Sequence, residues 1–235
     1  MPSGLHSDVI AGADLTRSVD ALFVNAPLRD YTERPRVNDF TLPVLGMAYL
    51  VTYAASRGFN VGVLDAEAYG LGVMAAIELI DELAPRWVGF NLLAPTYEIS
   101  ARIAAALDPT IKVMLGGHQA KAMPAEVLAD PRMAGCVALV LGEGETRVAE
   151  LLADHGSRAE LPGVMWIDPF LKTPVTGGRP STAGHLAPDI NALPFVDRRY
   201  LAQDPHFEAG RWEANMVGAR GCPYNCSFCG AAVSA

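Results

Sequence analysis

The sequence predicts an α/β domain built on a five-stranded parallel sheet. Three observations carry this. From Ala21 onward, apolar runs of about five residues alternate strictly with longer segments of helical period. Each run is almost continuously apolar, which marks strands covered on both faces rather than one. Glycine and proline fall between the segments, where turns are required. The composition agrees: 51% of the 235 residues are hydrophobic and 19% are charged, enough to bury a sizeable core.

The elements follow in order. Residues 21–25 are a short apolar strand ending at Ala26-Pro27, and residues 28–43 are irregular and rich in Arg, Pro and Asp. Residues 44–57 are a helix stopped by Gly58. A second strand, 60–65, precedes a helix over 73–83, with Pro85 just beyond its end. The third strand is 87–91. The next helix, 96–107, is expected to be capped by Thr96, with Glu98 in its first turn. The fourth strand, 111–115, leads into Gly116-Gly117-His118. A short helix over 125–129 follows Pro124. The fifth strand, 136–141, leads into Gly142-Glu143-Gly144-Glu145 and a helix over 146–155. Beyond it the pattern breaks. Residues 163–167 and 172–175 form a hairpin, and residues 187–204 form a linker punctuated by Pro and Asp. Residues 1–20 are expected to be a flexible N-terminal tail.

In parallel sheets of this kind, ligands bind beyond the carboxyl ends of the strands. Here that edge carries Asn91 and two glycine-rich turns, Gly116-Gly117-His118 and Gly142-Glu143-Gly144-Glu145. Glycine lets backbone approach a bulky ligand and supplies positive φ. No dinucleotide fingerprint is present: the 142–146 turn lacks a third glycine, follows the last strand, and places two acids where a pyrophosphate would sit. A phosphoryl-receiver site is excluded as well, because Asn25 and Asn91 stand where acids are required. The formal net charge of −8 disfavours nucleic acid as a partner. No apolar run is long enough to span a bilayer, and the first twenty residues lack a signal peptide's order. A soluble, cytoplasmic protein is expected.

Three of the four cysteines, Cys222, Cys226 and Cys229, lie at C-x3-C-x2-C spacing. Three thiolates can ligate an iron–sulfur cluster and leave one iron open. Spacing alone also admits half of a zinc site whose remaining ligand lies elsewhere. Cys136 reads as a small core residue of the fifth strand.

The cysteine run resembles the cluster loop of the radical S-adenosylmethionine (radical SAM) superfamily, with Phe228 at the family's aromatic position and residues 215–221 as the first barrel strand and its Arg-Gly lead-in. The upstream region resembles the cobalamin-binding domain of the B12-dependent branch. That likeness rests on Leu42-Pro43-Val44-Leu45-Gly46-Met47-Ala48-Tyr49-Leu50, on Gly116-Gly117-His118, on residues 140–145, and on Leu161-Pro162-Gly163-Val164. The resemblance implies a Rossmann-like (flavodoxin-like) cobalamin-binding domain over 21–156, a hairpin and linker over 157–211, and the truncated start of a radical SAM partial TIM barrel over 212–235. A full barrel takes ~250 residues, so the front part of a larger enzyme is expected.

The resemblance also implies cofactors and their residues. Cobalamin would contact Asn91, Gly116, Gly117, His118, Gly142, Glu143, Gly144 and Glu145. A [4Fe–4S] cluster would sit on Cys222, Cys226 and Cys229, and SAM beside Phe228. No residue of the chain is assigned a catalytic role. The implied activity is methyl transfer to an unactivated carbon, or a cyclase reaction of the same branch. A flavodoxin- or ferredoxin-type donor would supply electrons, and the substrate, small molecule or peptide, is unspecified. The histidine motif D-x-H-x-x-G is absent; residues 65–70 mimic its spacing but carry Glu67 at the histidine position. Two other classes stay open: a stand-alone corrinoid-binding module, and an iron–sulfur or zinc protein that binds no cobalamin.

Overall fold

The computed structural model describes residues 8–36, 41–154, 158–178, 189–202, 206–208, 211–220 and 226. Its centre is a sheet of eight strands: β1 (Ile10–Ala11), β2 (Ala21–Asn25), β3 (Val61–Asp65), β4 (Trp87–Asn91), β5 (Lys112–Gly116), β6 (Cys136–Val140), β7 (Val164–Ile167) and β8 (Pro174–Thr176), in the order β1-β3-β2-β4-β5-β6-β7-β8. β2 through β6 pair in parallel. The chain order reverses at β2, between β3 and β4, the switch point where such sheets open a crevice.

Three antiparallel strands make the sheet mixed and wider than the five-stranded parallel sheet expected. β1 pairs with β3 (Ile10 opposite Leu64), so residues 8–20 are not a flexible tail: Val9, Ile10 and Val19 are buried. The apolar content of this stretch is too sparse to read as a strand, and β3 supplies the template. At the other edge the β7–β8 hairpin adds to β6. It is part of the main sheet because Val164 and Trp166 point into a small core with Ala138 and Val140.

The helices are α1 (Leu45–Ser56), α2 (Val73–Leu83), α3 (Tyr97–Ala106), α4 (His118–Ala122), α5 (Pro124–Ala129) and α6 (Glu145–Ala153). Period-2 alternation sends successive strand residues to opposite faces. Leu22, Val24, Val88, Phe90, Val113 and Leu115 belong to one core with residues of α2, α3 and α5. Ala21, Phe23, Trp87 and Met114 belong to the other, with Met47, Ala48 and Val51 of α1 and Val148 and Leu152 of α6. Thr96 does not cap α3. A 3-10 turn over Ala94–Thr96 precedes the helix, and the Thr96 hydroxyl turns back to donate to Leu93 O at 3.3 Å.

The linker is not loose throughout. Tyr200 and Leu201 are buried in the α1/α6 core, and Asp197 N donates to the Thr52 hydroxyl of α1 at 3.0 Å. Beyond it, β9 (His206–Glu208) and β10 (Arg211–Glu213) form a separate antiparallel pair. The barrel strand expected over 215–219 does not form; residues 214–220 carry no regular structure. A lone parallel strand has no neighbour to satisfy its backbone groups. Of the cysteine run, only Cys226 is among the described residues; Cys222, Phe228 and Cys229 lie outside them. No described helix is long and apolar enough to cross a membrane.

Candidate functional site

A cavity of about 760 Å³ opens at the carboxyl edge of the sheet and runs down between α1 and α6. Its floor comes from the sheet face that α1 and α6 cover: Phe23, Gly89 and Met114. Its walls come from Met47, Leu50 and Val148, and its rim from Asn91, Gly116, Gly117, His118, Gly142, Glu143, Gly144 and Glu145. All eight rim residues singled out from the sequence therefore meet at one opening.

Gly89 explains the depth. It sits mid-strand, where a Cβ would lie 2.7 Å from the Phe23 ring and 3.3 Å from Met114 Cγ. Glycine inside a strand marks a close approach. A larger residue here would force Phe23 and Met114 to move within the floor.

The rim is stitched together by backbone hydrogen bonds. Leu92 N donates to Gly116 O at 2.8 Å, Gln119 N to Leu92 O at 3.0 Å, and Lys121 N to Gly117 O at 3.0 Å. Gly117 has φ 93° and ψ 177°, a region essentially reserved for glycine. A Cβ there would lie 2.3 Å from Asn91 Oδ1 and 2.7 Å from Leu92 O. Gly116 is the opposite case: the nearest atom to its hypothetical Cβ is Val140 O at 3.8 Å, so that side is open. His118 begins α4 and is exposed, with Lys121 one turn on; both line the cavity.

Glu143 and Glu145 carry the charge of the rim. The two acids that argue against a pyrophosphate hold a cation instead. Arg220 Nη1 donates to Glu143 Oε2 at 2.8 Å and to Glu145 Oε1 at 2.6 Å, and the guanidinium lies 4.5 Å from the Tyr49 ring centroid. Burial opposes the charge on Arg220, but the hydrogen bond and charge of Glu145, then those of Glu143, outweigh it and raise its pKa. Glu145 is only 3% exposed, and its Oε2 is buried with no hydrogen-bond partner among the described residues.

The residues after β2 and β3 serve structure. Asn25 Nδ2 and Ala68 N donate to Asp65 Oδ1 at 2.8 and 3.0 Å. Burial nonetheless pushes the Asp65 carboxyl up. Glu67, at the absent histidine's position, accepts from the Tyr31 hydroxyl at 2.7 Å and from Leu28 N at 2.8 Å. Arg198 donates to Asn215 O, and Arg199 pairs with Asp197. Desolvation pushes the Cys136 thiol up to about 12. Among the described residues no group of His, Cys, Asp and Glu is arranged to hold a metal ion.

Sequence reasoning missed the floor and the tie. Phe23, Gly89 and Met114 share one strand face by simple alternation, and Gly89 is a conspicuous interruption of an apolar run. Arg220 is visible only as a lead-in to the cysteines; nothing local pairs it with Glu143 and Glu145, 77 and 75 residues earlier.

The chain is similar in sequence and fold to several known proteins. A family model for the B12 binding domain matches residues 37–152. An uncharacterized methyltransferase of Pyrococcus horikoshii, PH0819, is 27% identical over 199 residues, which cover 83% of this chain and 42% of that protein. The anaerobic magnesium-protoporphyrin IX monomethyl ester cyclase of Rubrivivax gelatinosus is 28% identical over 199 residues, covering 80% of this chain and 34% of that one. The chain thus spans less than half the length of these curated relatives. In fold it resembles the radical SAM methyltransferase TsrM of Kitasatospora setae, solved with tryptophan substrate and a SAM analog (TM-score 0.52, 20% identity, 70% of this chain and 31% of that one). It also resembles the cobalamin-dependent SAM radical enzyme OxsB, solved with aqua-cobalamin and SAM (TM-score 0.51, 14% identity, 70% and 23%).

Proposed function

We propose that the chain, whose residues 37–152 match a family model for the B12 binding domain, is a B12-binding radical SAM protein that holds cobalamin in the α1/α6 cavity as part of an enzyme that methylates an unactivated carbon. The observation that carries this is the cavity itself: a deep apolar slot with a glycine rim and one buried polar atom in want of a donor.

The residues present fit the group. Cobalamin is a broad macrocycle with a long nucleotide tail and a fringe of amides. The open backbone at Gly116 and the turn at Gly142 (φ 79°) give the macrocycle a surface to lie against. The slot floored by Phe23, Gly89 and Met114 is shaped for the tail, with apolar walls that exclude water. Glu145 Oε2 offers an acceptor to an amide or a ribose hydroxyl. When bound, methylcobalamin supplies a transferable methyl group. The protein's part is to orient it and keep the edge dry. Glu67 is held by Tyr31 and Leu28 N, away from any ligand role, so this motif supplies no histidine to cobalt.

For the second half of the site, Cys222, Cys226 and Cys229 would ligate a [4Fe–4S] cluster and Phe228 would lie beside SAM. Sequence spacing supports these roles. A flavodoxin- or ferredoxin-type protein would deliver electrons, and the substrate is a small molecule or peptide. A cyclase reaction is the second reading, favoured by the 28% identical cyclase relative.

The test is the visible spectrum of anaerobically purified, iron-reconstituted protein with and without hydroxocobalamin. Retained corrin bands together with a cysteine-dependent cluster shoulder support the full reading. Corrin bands alone support a corrinoid-binding module, and a shoulder alone an iron–sulfur protein. A featureless spectrum in both arms removes the proposal.

A further inference from the structure

The charges around the cavity are split between its two sides. Besides Tyr49, the ionisable side chains that line it are His118, Lys121, Glu143, Glu145 and Arg220. After β6, Arg220 is engaged by both carboxylates, so two acids against one guanidinium leave an excess of negative charge there. After β5 stand His118 and Lys121, three residues apart on α4 and so on one face of it. Neither side chain has a hydrogen bond or ion pair among the described residues. Lys121 is nonetheless half-buried. The other lysines of the chain are Lys112, which pairs with Asp154 at 3.7 Å and lies over the Trp87 ring, and Lys172, in the β7–β8 turn. In a chain of net charge −8, an uncompensated lysine at a cavity mouth makes a local field that draws an anion.

Cobalamin carries one anion on its tail, at a fixed place. Its covalent order runs from macrocycle through an aminopropanol linker to phosphodiester, ribose and base. With the macrocycle beyond the sheet edge and the base in the slot, the phosphodiester crosses the rim. Resting on the cobalamin reading, we propose that the tail crosses on the β5 side, where the Lys121 ammonium holds the phosphodiester and the His118 ring stands beside it. The β6 side repels the same group, and its cation is already engaged. Lysine suits the task as a compact charge with three rotatable donors, able to follow a phosphate that has no fixed planar face. Half-burial strengthens the attraction over that of a fully solvated pair. Lys121 is then a specificity residue: it selects corrinoids with a complete nucleotide loop over those that lack one.

The test uses the full chain and isothermal titration calorimetry with three probes: cyanocobalamin, dicyanocobinamide, which lacks the phosphodiester and everything beyond it, and inorganic phosphate. Lys121→Gln should weaken cyanocobalamin about tenfold, the lower range for a hydrogen bond to a charged group, and leave dicyanocobinamide unchanged. Lys121→Arg, which keeps the charge, should retain most of the affinity. Raising sodium chloride from about 0.1 M to about 1 M, which shortens the screening length from ~10 Å to ~3 Å, should weaken cyanocobalamin in the unaltered chain and not in Lys121→Gln. Where dicyanocobinamide is too weak to measure, that salt comparison decides; where Lys121→Gln fails to fold, the salt dependence of the unaltered chain, present for cyanocobalamin and absent for dicyanocobinamide, decides. Equal loss for both corrinoids, or undiminished cyanocobalamin binding in folded Lys121→Gln, overturns the assignment and leaves the cobalamin reading standing. Phosphate binding that Lys121→Gln abolishes while cyanocobalamin is unaffected gives the lysine to a separate anion and overturns it equally. Absence of cyanocobalamin binding in the unaltered chain overturns both.

Discussion

Two neighbouring glycines of the rim respond oppositely to substitution. Gly116 lies at the end of β5, paired with Asn91, and a Cβ on it meets nothing closer than Val140 O at 3.8 Å. Gly116→Leu therefore folds normally, and the loss of glycine's chain entropy adds up to about 0.5–1 kcal/mol of stability. Its side chain projects into the space that the macrocycle needs. Overpacking a fitted site costs about 1–3 kcal/mol, which is about 5- to 150-fold in affinity. Gly117→Ala fails for a different reason. Its φ of 93° is strained for any side chain, and its Cβ overlaps Leu92 O and N at 2.7 and 2.8 Å, backbone atoms fixed by the rim hydrogen bonds. Strain and overlap together cost about 3 kcal/mol or more. Urea unfolding and tryptophan-quenching titrations with cyanocobalamin separate the two effects. Gly116→Leu should lose binding with its unfolding midpoint unchanged or raised, and Gly117→Ala should lose stability first. A stable Gly116→Leu that binds cyanocobalamin as tightly as the parent would refute the placement of the ligand.

Further expectations concern the frame of the site. Tyr200 is 2% exposed in the α1/α6 core, against Gly12, so Tyr200→Ala should cost about 3–4 kcal/mol in urea unfolding; a change below about 0.5 kcal/mol would mean that the linker does not pack there. The Arg132 side chain, helped by its backbone N–H and the Tyr97 hydroxyl, outweighs burial and lowers the Asp130 carboxyl from 3.8 to about 2. A depressed carboxyl stabilises above its unfolded pKa and loses that effect as pH falls through the folded one. Stability should therefore drop by about 1 kcal/mol between pH 4 and pH 2, after allowance for solvent screening, and Asp130→Asn should lack that drop. Electron paramagnetic resonance of bound cob(II)alamin should show no nitrogen superhyperfine splitting from an axial ligand; splitting that disappears in His118→Ala would assign cobalt to that histidine.

The parallel strands were legible because each is a short, continuous apolar run between turn signals, and the rim because its glycines interrupt that pattern at one edge. What escaped depends on partners distant in sequence. Residues 10–11 become a strand only because β3 offers an open edge. Tyr200 becomes core only where Gly12 leaves room for its ring. Thr96 has the composition of a cap, but a preceding 3-10 turn occupies its hydroxyl. Residues 214–220 have the pattern of a strand and lack a pairing neighbour among the described residues. The pairing of Arg220 with Glu143 and Glu145 is invisible to periodicity, because it joins two loops rather than two faces.

Anomalous diffraction at the cobalt edge from crystals grown with cyanocobalamin tests the central claim most directly, since it locates the metal without reference to any assumed pose. A single cobalt peak just beyond Gly116 and Gly142, with the nucleotide tail running down toward Gly89, is the predicted result. Cobalt bound elsewhere on the chain, or a cavity left empty at saturating cyanocobalamin, would contradict it.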